Sequence, residues 1–550
     1  MTIEEPTRLC QSSTCGSPGI TGDVRSPCSN LVHPQITRRV PPWAWLVVCA
    51  FPLLLYAGSL RADFLMDDET IITANTRLAP GQSPLEIFRR PEQFADFTLP
   101  YYRPLVNVSY WVDRWLWGSN ASGFHLTNVL LHGVATLLVF ALARALIAEP
   151  LWAALAALMF AAHPIHTESV IMVQGRTDLL GTVLVLLSLL ALLQVFRSTG
   201  GVRIVAAGVA SGGALLGALL SKEMAIMWPA LAALIVVACP NAGKGKTARM
   251  ALMCAIGAAV LGVYFWIRGA ATGGPLPVDF SRIGTPSLGL VPITFVTYVG
   301  LLVWPFSFSF IRSIPPPETW ADPRILVSAL LAIAILLSLV WLTRSNRVAA
   351  VGAVWMVITL LPVLNLFPIP GFVVAERYLY LPSVGFCLLL VTWIRQAAFT
   401  YVRSKCHLAL AAAVLLLLVA FTATIQVRAI QWQDPVGVFE TMARRTPDSF
   451  FVQNNLGIEY LSAGETQRAV DALLRARELE PSNPVVWNNL GVALRQSGRL
   501  SEARSALERA ITMNPAYAQA YENFAELLVA QGDHAGARRV RERAKAIGAR

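Results

Sequence analysis

Three adjacent carboxylates, Asp67, Asp68 and Glu69, stand in "FLMDDETIITAN", a few residues after the first long apolar run of the chain. Like charges side by side repel, and the repulsion raises the basicity of one member, as a general base requires. Such a base takes the proton from an alcohol as it attacks an electrophile, while a second carboxylate positions the first or the acceptor. Taken alone, the stretch also reads as a solvated acidic turn. "YYRPL" brings Arg103 into the same polar segment.

Three more charged clusters interrupt apolar sequence, where ionisable groups are costly and therefore informative. "HPIHTESVIMVQGRTDLLG" carries His163, His166, Glu168, Arg176 and Asp178. The first three resemble metal ligands in spacing, but His-Pro-x-His at a helix end does not put both imidazoles on one helical face as an i, i+4 pair does. A polar network beside the acidic loop is therefore expected, with Arg176 and Asp178 capping the next span and no metal or other cofactor. "LLSKEMA" places Lys222 and Glu223 in a turn between apolar runs, where the lysine is a point charge suited to phosphate and the bland reading is a helix hairpin. In "VVAERYLYLPSVGF", Glu376 and Arg377 open a membrane helix with Tyr378 and Tyr380 at headgroup depth; an arginine there binds a lipid phosphate bidentately.

The elements that must position these groups are membrane helices. The chain is 550 residues, 55% hydrophobic and 14% charged, far from soluble composition. Runs such as "LLGTVLVLLSLLALLQVF" and "ILVSALLAIAILLSLVWL" approach the length that crosses a bilayer. The net charge of +11 does not point to nucleic acid, because the basic residues fall in short connections that set topology.

Residues 1–42 read as a disordered cytoplasmic tail, whose Cys10, Cys15, Cys28 and His33 fit no zinc-knuckle spacing. The first apolar run, 43–60, lies too far from the N-terminus for a cleaved signal and is read as an anchor. A loop at 61–124 follows on the non-cytoplasmic side, where "SPLEIFRR" is expected to form a short surface helix. The transmembrane domain extends to 430 with eleven spans, provided that the Pro-bearing segment 288–310 is re-entrant or interfacial; twelve spans is the alternative. From 448 to 550 Leu456, Leu490 and Phe524 recur 34 residues apart, as do Gly464, Gly498 and Gly532, and Pro447, Pro481 and Pro515. That period specifies three tetratricopeptide repeats, an α-solenoid on the same side as the acidic loop. The fold class is all-α, a polytopic bundle with a C-terminal solenoid.

The order "DDE", "YYRPL", "GFHLTNVLLH", "HPIHTESV", "VQGRTDLL", "LLSKE" and "VVAERYLYLPS", with repeats behind it, resembles the transmembrane and tetratricopeptide-repeat-containing O-mannosyltransferases and their bacterial relatives. The resemblance runs from about Asp63 to the C-terminus. It implies the GT-C class of glycosyltransferases, a polyprenyl-phosphate-linked donor, and inverting transfer of mannose to Ser or Thr of a protein on the periplasmic or lumenal side of the membrane, the inner membrane for a bacterial member. The family's acidic pair falls on Asp67 and Asp68, its second-loop motif on His163, His166, Glu168, Arg176 and Asp178, and its helix-opening motif on Glu376 and Arg377. By analogy with related enzymes Asp67 is favoured as base. Cations at Arg377, Arg176, Lys222 and Arg103 would stabilise the departing phosphate, with Glu69, His163, His166, Glu168, Asp178, Glu376 and Tyr378 as the supporting network. Gln174 departs from the apolar residue usual in relatives, and three repeats are fewer than in many eukaryotic members; both bear on the acceptor more than on the chemistry. A membrane-anchored scaffold without catalysis is the competing reading, against which the charged clusters stand. A transporter lacks the inverted repeat it would need.

Overall fold

Proline sets where several helices begin, because its φ suits the first turn and its missing N–H would find no partner there. In the computed structural model such prolines start α1 (Pro42–Leu55), α3 (Pro104–Trp117), α5 (Pro150–Ala162) and α12 (Pro323–Thr343). The structure describes residues 40–64, 68, 71–72, 75, 78, 81–89, 93–94, 97–98, 101–147, 149–238, 245–272, 285–306, 311–312, 314–315, 317, 319–366, 374–400 and 404–548. Asp67, Glu69 and the N-terminal tail before residue 40 lie outside them.

The remaining helices of the bundle are α2 (Pro84–Arg89), α4 (Ala121–Leu146), α6 (His166–Ile171), α7 (Arg176–Arg197), α8 (Gly201–Leu219), α9 (Trp228–Ala238), α10 (Lys246–Thr272), α11 (Thr285–Val303), α13 (Arg347–Leu360), α14 (Pro382–Thr400) and α15 (Ser404–Gln431). Two short antiparallel pairs join β1 (Gln93–Phe94) to β2 (Phe97–Thr98), and β3 (Ile311–Arg312) to β4 (Val374–Ala375). Among the described residues eight helices are long and apolar enough to cross a membrane, with four shorter apolar helices beside them. The short helix expected in the long loop is α2, with Ser83 Oγ accepting from the Leu85 N–H at 3.3 Å.

Helix directions follow from what the ends touch. Arg197 donates to Ala145 O and Arg249 to Val195 O and Phe196 O, so the end of α4, the end of α7 and the start of α10 share one end of the bundle. Arg347 donates to Val237 O, which puts the end of α9 and the start of α13 there too. At the other end Phe124 O near the start of α4 accepts from Arg176 at the start of α7, and the turns before α9 and α14 carry Lys222 and Glu376. This second end gathers the charged clusters and is the polar end.

α11 does not alternate. Gly289 in its first turns sits against Pro317 and Ile325 at the start of α12, Thr294 donates to Leu364 O just beyond α13, and Leu302 O lies 2.9 Å from His163 Nε2. All three contacts are at the polar end, so α11 runs along it; residues 307–310 of the segment expected to be re-entrant or interfacial lie outside the described residues.

After α15 the chain enters α16 (Pro435–Arg445) and three helix pairs, α17 (Phe450–Ser462) with α18 (Thr466–Leu479), α19 (Pro484–Gln496) with α20 (Leu500–Met513), and α21 (Ala518–Ala530) with α22 (His534–Gly548). Gly464, Gly498 and Gly532 close the first helix of each pair at φ of 77°, 79° and 84°, a left-handed conformation that other residues resist. A Cβ on Gly457 or Gly491 would stand 2.5 Å from Leu473 or Leu507, so glycine there lets the paired helices touch. Asn489 bonds Asn454 at 3.0 Å and Asn523 bonds Asn488 at 2.8 Å, tying each repeat to the next.

Candidate active site

The turns at the polar end bring three cations together, each beside its own carboxylate. Arg103, just before α3, reaches Glu223 through Nη2 at 2.8 Å and Nε at 3.1 Å, and stacks on Tyr101 with its guanidinium 4.3 Å from the ring centre. The Leu105 N–H donates to Leu220 O, which docks "YYRPL" on "LLSKE". Lys222 pairs with Asp178 of α7 and lies 5.2 Å from the Tyr378 ring centre; Arg377 sits 5.7 Å over the same ring. The Arg377 backbone N–H donates to Glu168 Oε2 at 2.9 Å, and its Nε is 3.6 Å from Oε1.

The three cations feel one another. Burial lowers the proton affinity of Lys222, Asp178 pulls it back up, and the charges of Arg103 and Arg377 push it down again. Burial raises Glu223, but the charge and hydrogen bond of Arg103, with a backbone N–H and the Lys222 charge, together hold the carboxyl below its ordinary range. Side-chain exposures of 17% for Arg103, 18% for Arg377 and 28% for Glu223 leave these groups partly open at the polar end.

Arg176 is placed differently from the expectation of a phosphate ligand. Its side chain is wholly enclosed, 2.6 Å from Asp113, and it donates to Asn128 Oδ1 at 2.8 Å and Phe124 O at 3.0 Å. Thr127 completes the Asp113 cluster with a 2.8 Å bond. Paired and sealed, Arg176 braces α3 and α4 against the start of α7 and presents no charge at the surface.

Asp68, also buried, accepts from the Gln174 N–H through Oδ1 at 2.9 Å and from the Val173 N–H through Oδ2 at 3.2 Å. Asp68 is thereby pinned to the turn before α7. Gly175 belongs to that turn because a Cβ there would stand 2.3 Å from Ser169 O. Gln174 Oε1 lies 3.5 Å from Arg377 Nη1, so Gln174 stands between Asp68 and Arg377.

His163 and His166 spread rather than converge: His163 Nε2 engages Leu302 O, and His166 Nε2 meets Ser383 Oγ at 2.9 Å. Among the described residues no group of three His, Cys, Asp or Glu could hold a metal ion. Glu376 is buried and pairs with Arg428 of α15 at 2.8 Å, with Arg312 at 3.8 Å.

Tetratricopeptide-repeat profiles match residues 454–511 and 494–549. Human protein O-mannosyl-transferase TMTC4 is 30% identical over 506 residues, covering 80% of this chain and 67% of the relative. The chain belongs to this family of transmembrane, tetratricopeptide-repeat protein O-mannosyl-transferases. The mouse TMTC4 protein is 30% identical over 78% of the chain and 66% of its own length, and the Caenorhabditis elegans protein F38B6.6 is 28% identical over 80% and 63%. The chain thus spans about two thirds of the length of these relatives. Within this TMTC-type chain the sequence reading missed Arg428, Arg312, Asp113 and Asn128. Asn128 stands inside the quoted "GFHLTNVLLH" and Asp113 ten residues before that motif; the signal available for both was a polar side chain embedded in apolar sequence.

Proposed function

We propose that this protein transfers a sugar, mannose in the first instance, from a polyprenyl-phosphate donor to a Ser or Thr hydroxyl of a protein, with inversion. The observation that carries the reading is the group of Arg103, Lys222 and Arg377, drawn from three separate segments to the polar end, where Arg377 stands beside Gln174, the residue whose N–H holds Asp68. As the glycosidic bond breaks, negative charge grows on the departing phosphate, so these cations stabilise the transition state more than the ground state. Asp67 is the base, adjacent to Asp68, whose two oxygens are engaged by backbone donors and suit it to orienting the loop. Glu69 supports the same loop. Base and phosphate site on opposite faces of the sugar give in-line displacement.

The connections at the far end include "RSTGGVR", "GKGKTAR" and "TRSNR", and positive charge marks the cytoplasmic face. The polar end is then periplasmic in a bacterial inner membrane, or lumenal, and the repeats that follow α15 present the protein acceptor there. The bilayer delivers the donor; no metal takes part.

The test is transfer of labelled mannose from polyprenyl-phosphate mannose to a protein acceptor in membranes carrying Asp67→Asn or Asp68→Asn. Loss of a general base costs about 10²–10⁴-fold, and that range is expected for Asp67→Asn, with a smaller loss for Asp68→Asn. Full transfer by both variants would overturn the base assignment. Transfer by the wild type from a nucleotide sugar alone would overturn the donor class.

A further inference from the structure

Arg428 lies in the last turn of α15, the helix that leads into the repeats, and outside the motifs quoted above. Its side chain is 2% exposed. Nη1 donates to Pro164 O at 2.7 Å and to Glu376 Oε2 at 2.8 Å, and Nη2 donates to Pro305 O at 2.8 Å. One guanidinium thus joins four segments: the His163–His166 turn, the end of α11, the Glu376–Arg377 turn and α15 itself. A buried arginine is retained only where its partners offset desolvation, and a planar fork of donors satisfies several acceptors where an ammonium serves fewer.

The Glu376 side of this clamp adjoins Arg377, whose backbone N–H is fixed on Glu168. On the repeat side, Gln426 anchors α15 to Leu55 O at 2.6 Å. Burial lowers the proton affinity of Arg312, Glu376 offsets this, and the charges of Arg428 and of Arg445 at the end of α16 lower it further. The charge at the end of the first helix after the membrane domain is therefore felt at the same cluster.

We propose that Arg428 is a positioning residue for Arg377: through Glu376 it fixes the turn that aims Arg377 at the donor phosphate, and it links that turn to the repeat-bearing helix. The catalytic consequence rests on the function proposed above, whereas the structural consequence does not. Hydrogen exchange and kinetics of the full chain in lipid nanodiscs, with Arg428→Lys, Arg428→Gln and the double variant Arg428→Gln/Glu376→Gln, test the two separately.

In Arg428→Lys, exchange of the amides of residues 376–381 is expected to accelerate about tenfold. KM for polyprenyl-phosphate mannose is expected to rise about tenfold with acceptor KM unchanged, and adding Arg377→Lys should cost little more, because the two residues act as one unit. The neutral double variant should restore part of what Arg428→Gln alone loses, since it no longer leaves a buried carboxylate with only the 3.8 Å contact to Arg312. Unchanged exchange at 376–381, a rise in acceptor KM alone, or losses that multiply with Arg377→Lys would each overturn the inference. If the wild type transfers nothing, the functional reading fails while the exchange result still decides the positioning role.

Discussion

Glu168 shows how burial sets the behaviour of a single residue. Burial raises its carboxyl, the Arg377 charge pulls it back, and Glu376 adds to the rise, leaving it at about 7 from an ordinary 4.5. The folded protein then holds a proton that the unfolded chain releases between those values, so this contribution to stability is complete below pH 4.5 and lost as pH rises to about 7. Glu168→Gln is expected to remove a stability difference on the order of 3 kcal/mol across that window. Thermal unfolding at pH 5 and pH 7 measures it, and an equal slope in variant and wild type would sink the assignment. At this scale Lys222, Glu223 and Arg377 were legible because a charge in apolar sequence demands a reason. Arg428 was not, because a lone arginine at the end of a span reads equally well as an interfacial residue reaching for headgroups.

At the scale of elements, close packing decides what the turns can do. The 173–175 turn is held between Asp68 and Ser169, and Gly175→Ala would drive a methyl group into a backbone carbonyl. A loss of about 2 kcal/mol or more is expected, with a lowered unfolding temperature as the readout; an unchanged temperature would mean that the turn yields freely. α13 and α14 cross through Gly352 and Gly385, where a Cβ on either residue would stand 2.6 or 2.5 Å from the other's carbonyl oxygen. Small residues let membrane helices approach in this way. Trp355 of α13 fixes the register with a 3.0 Å bond to Leu381 O, just before α14. Gly385→Val is expected to part this pair and to loosen the Glu376–Arg377 turn behind it, seen as a lower unfolding temperature and a raised donor KM. The helical character of these segments was plain from their apolar runs, but α3 was not anticipated: it hides Val106, Tyr110 and Asp113 on one side and exposes Trp115 on the other, inside a segment otherwise read as loop.

For the whole molecule, the alternation of helices puts the start of the repeats at the same end as the charged turns. A cysteine placed at Ser198, between α7 and α8, should be labelled by a membrane-impermeant maleimide only from the cytoplasmic face. One placed at Ser497 in the repeats should be labelled only from the opposite face. Labelling of both from one side would overturn the alternation, and exchange of the two faces would reverse the topology. Truncation after Asp434 keeps α15 and its Arg428 clamp, and should preserve binding of polyprenyl phosphate, followed by thermal shift, while protein mannosylation falls. Equal loss of both would instead make the repeats part of the donor site.

Sequence alone determined the membrane class, the repeat solenoid and most of the charged clusters, because hydrophobic length, a strict 34-residue period and costly charges are local signals. Tertiary structure alone decided which charges share a carboxylate, which are sealed and which stay partly open. Arg176 and Arg377 look alike in sequence, each preceding a membrane helix. One is enclosed against Asp113 from a segment 63 residues away, while the other stays partly open above Tyr378. That difference depends on which distant segments pack beside each arginine, a property of the folded chain that no local spacing encodes.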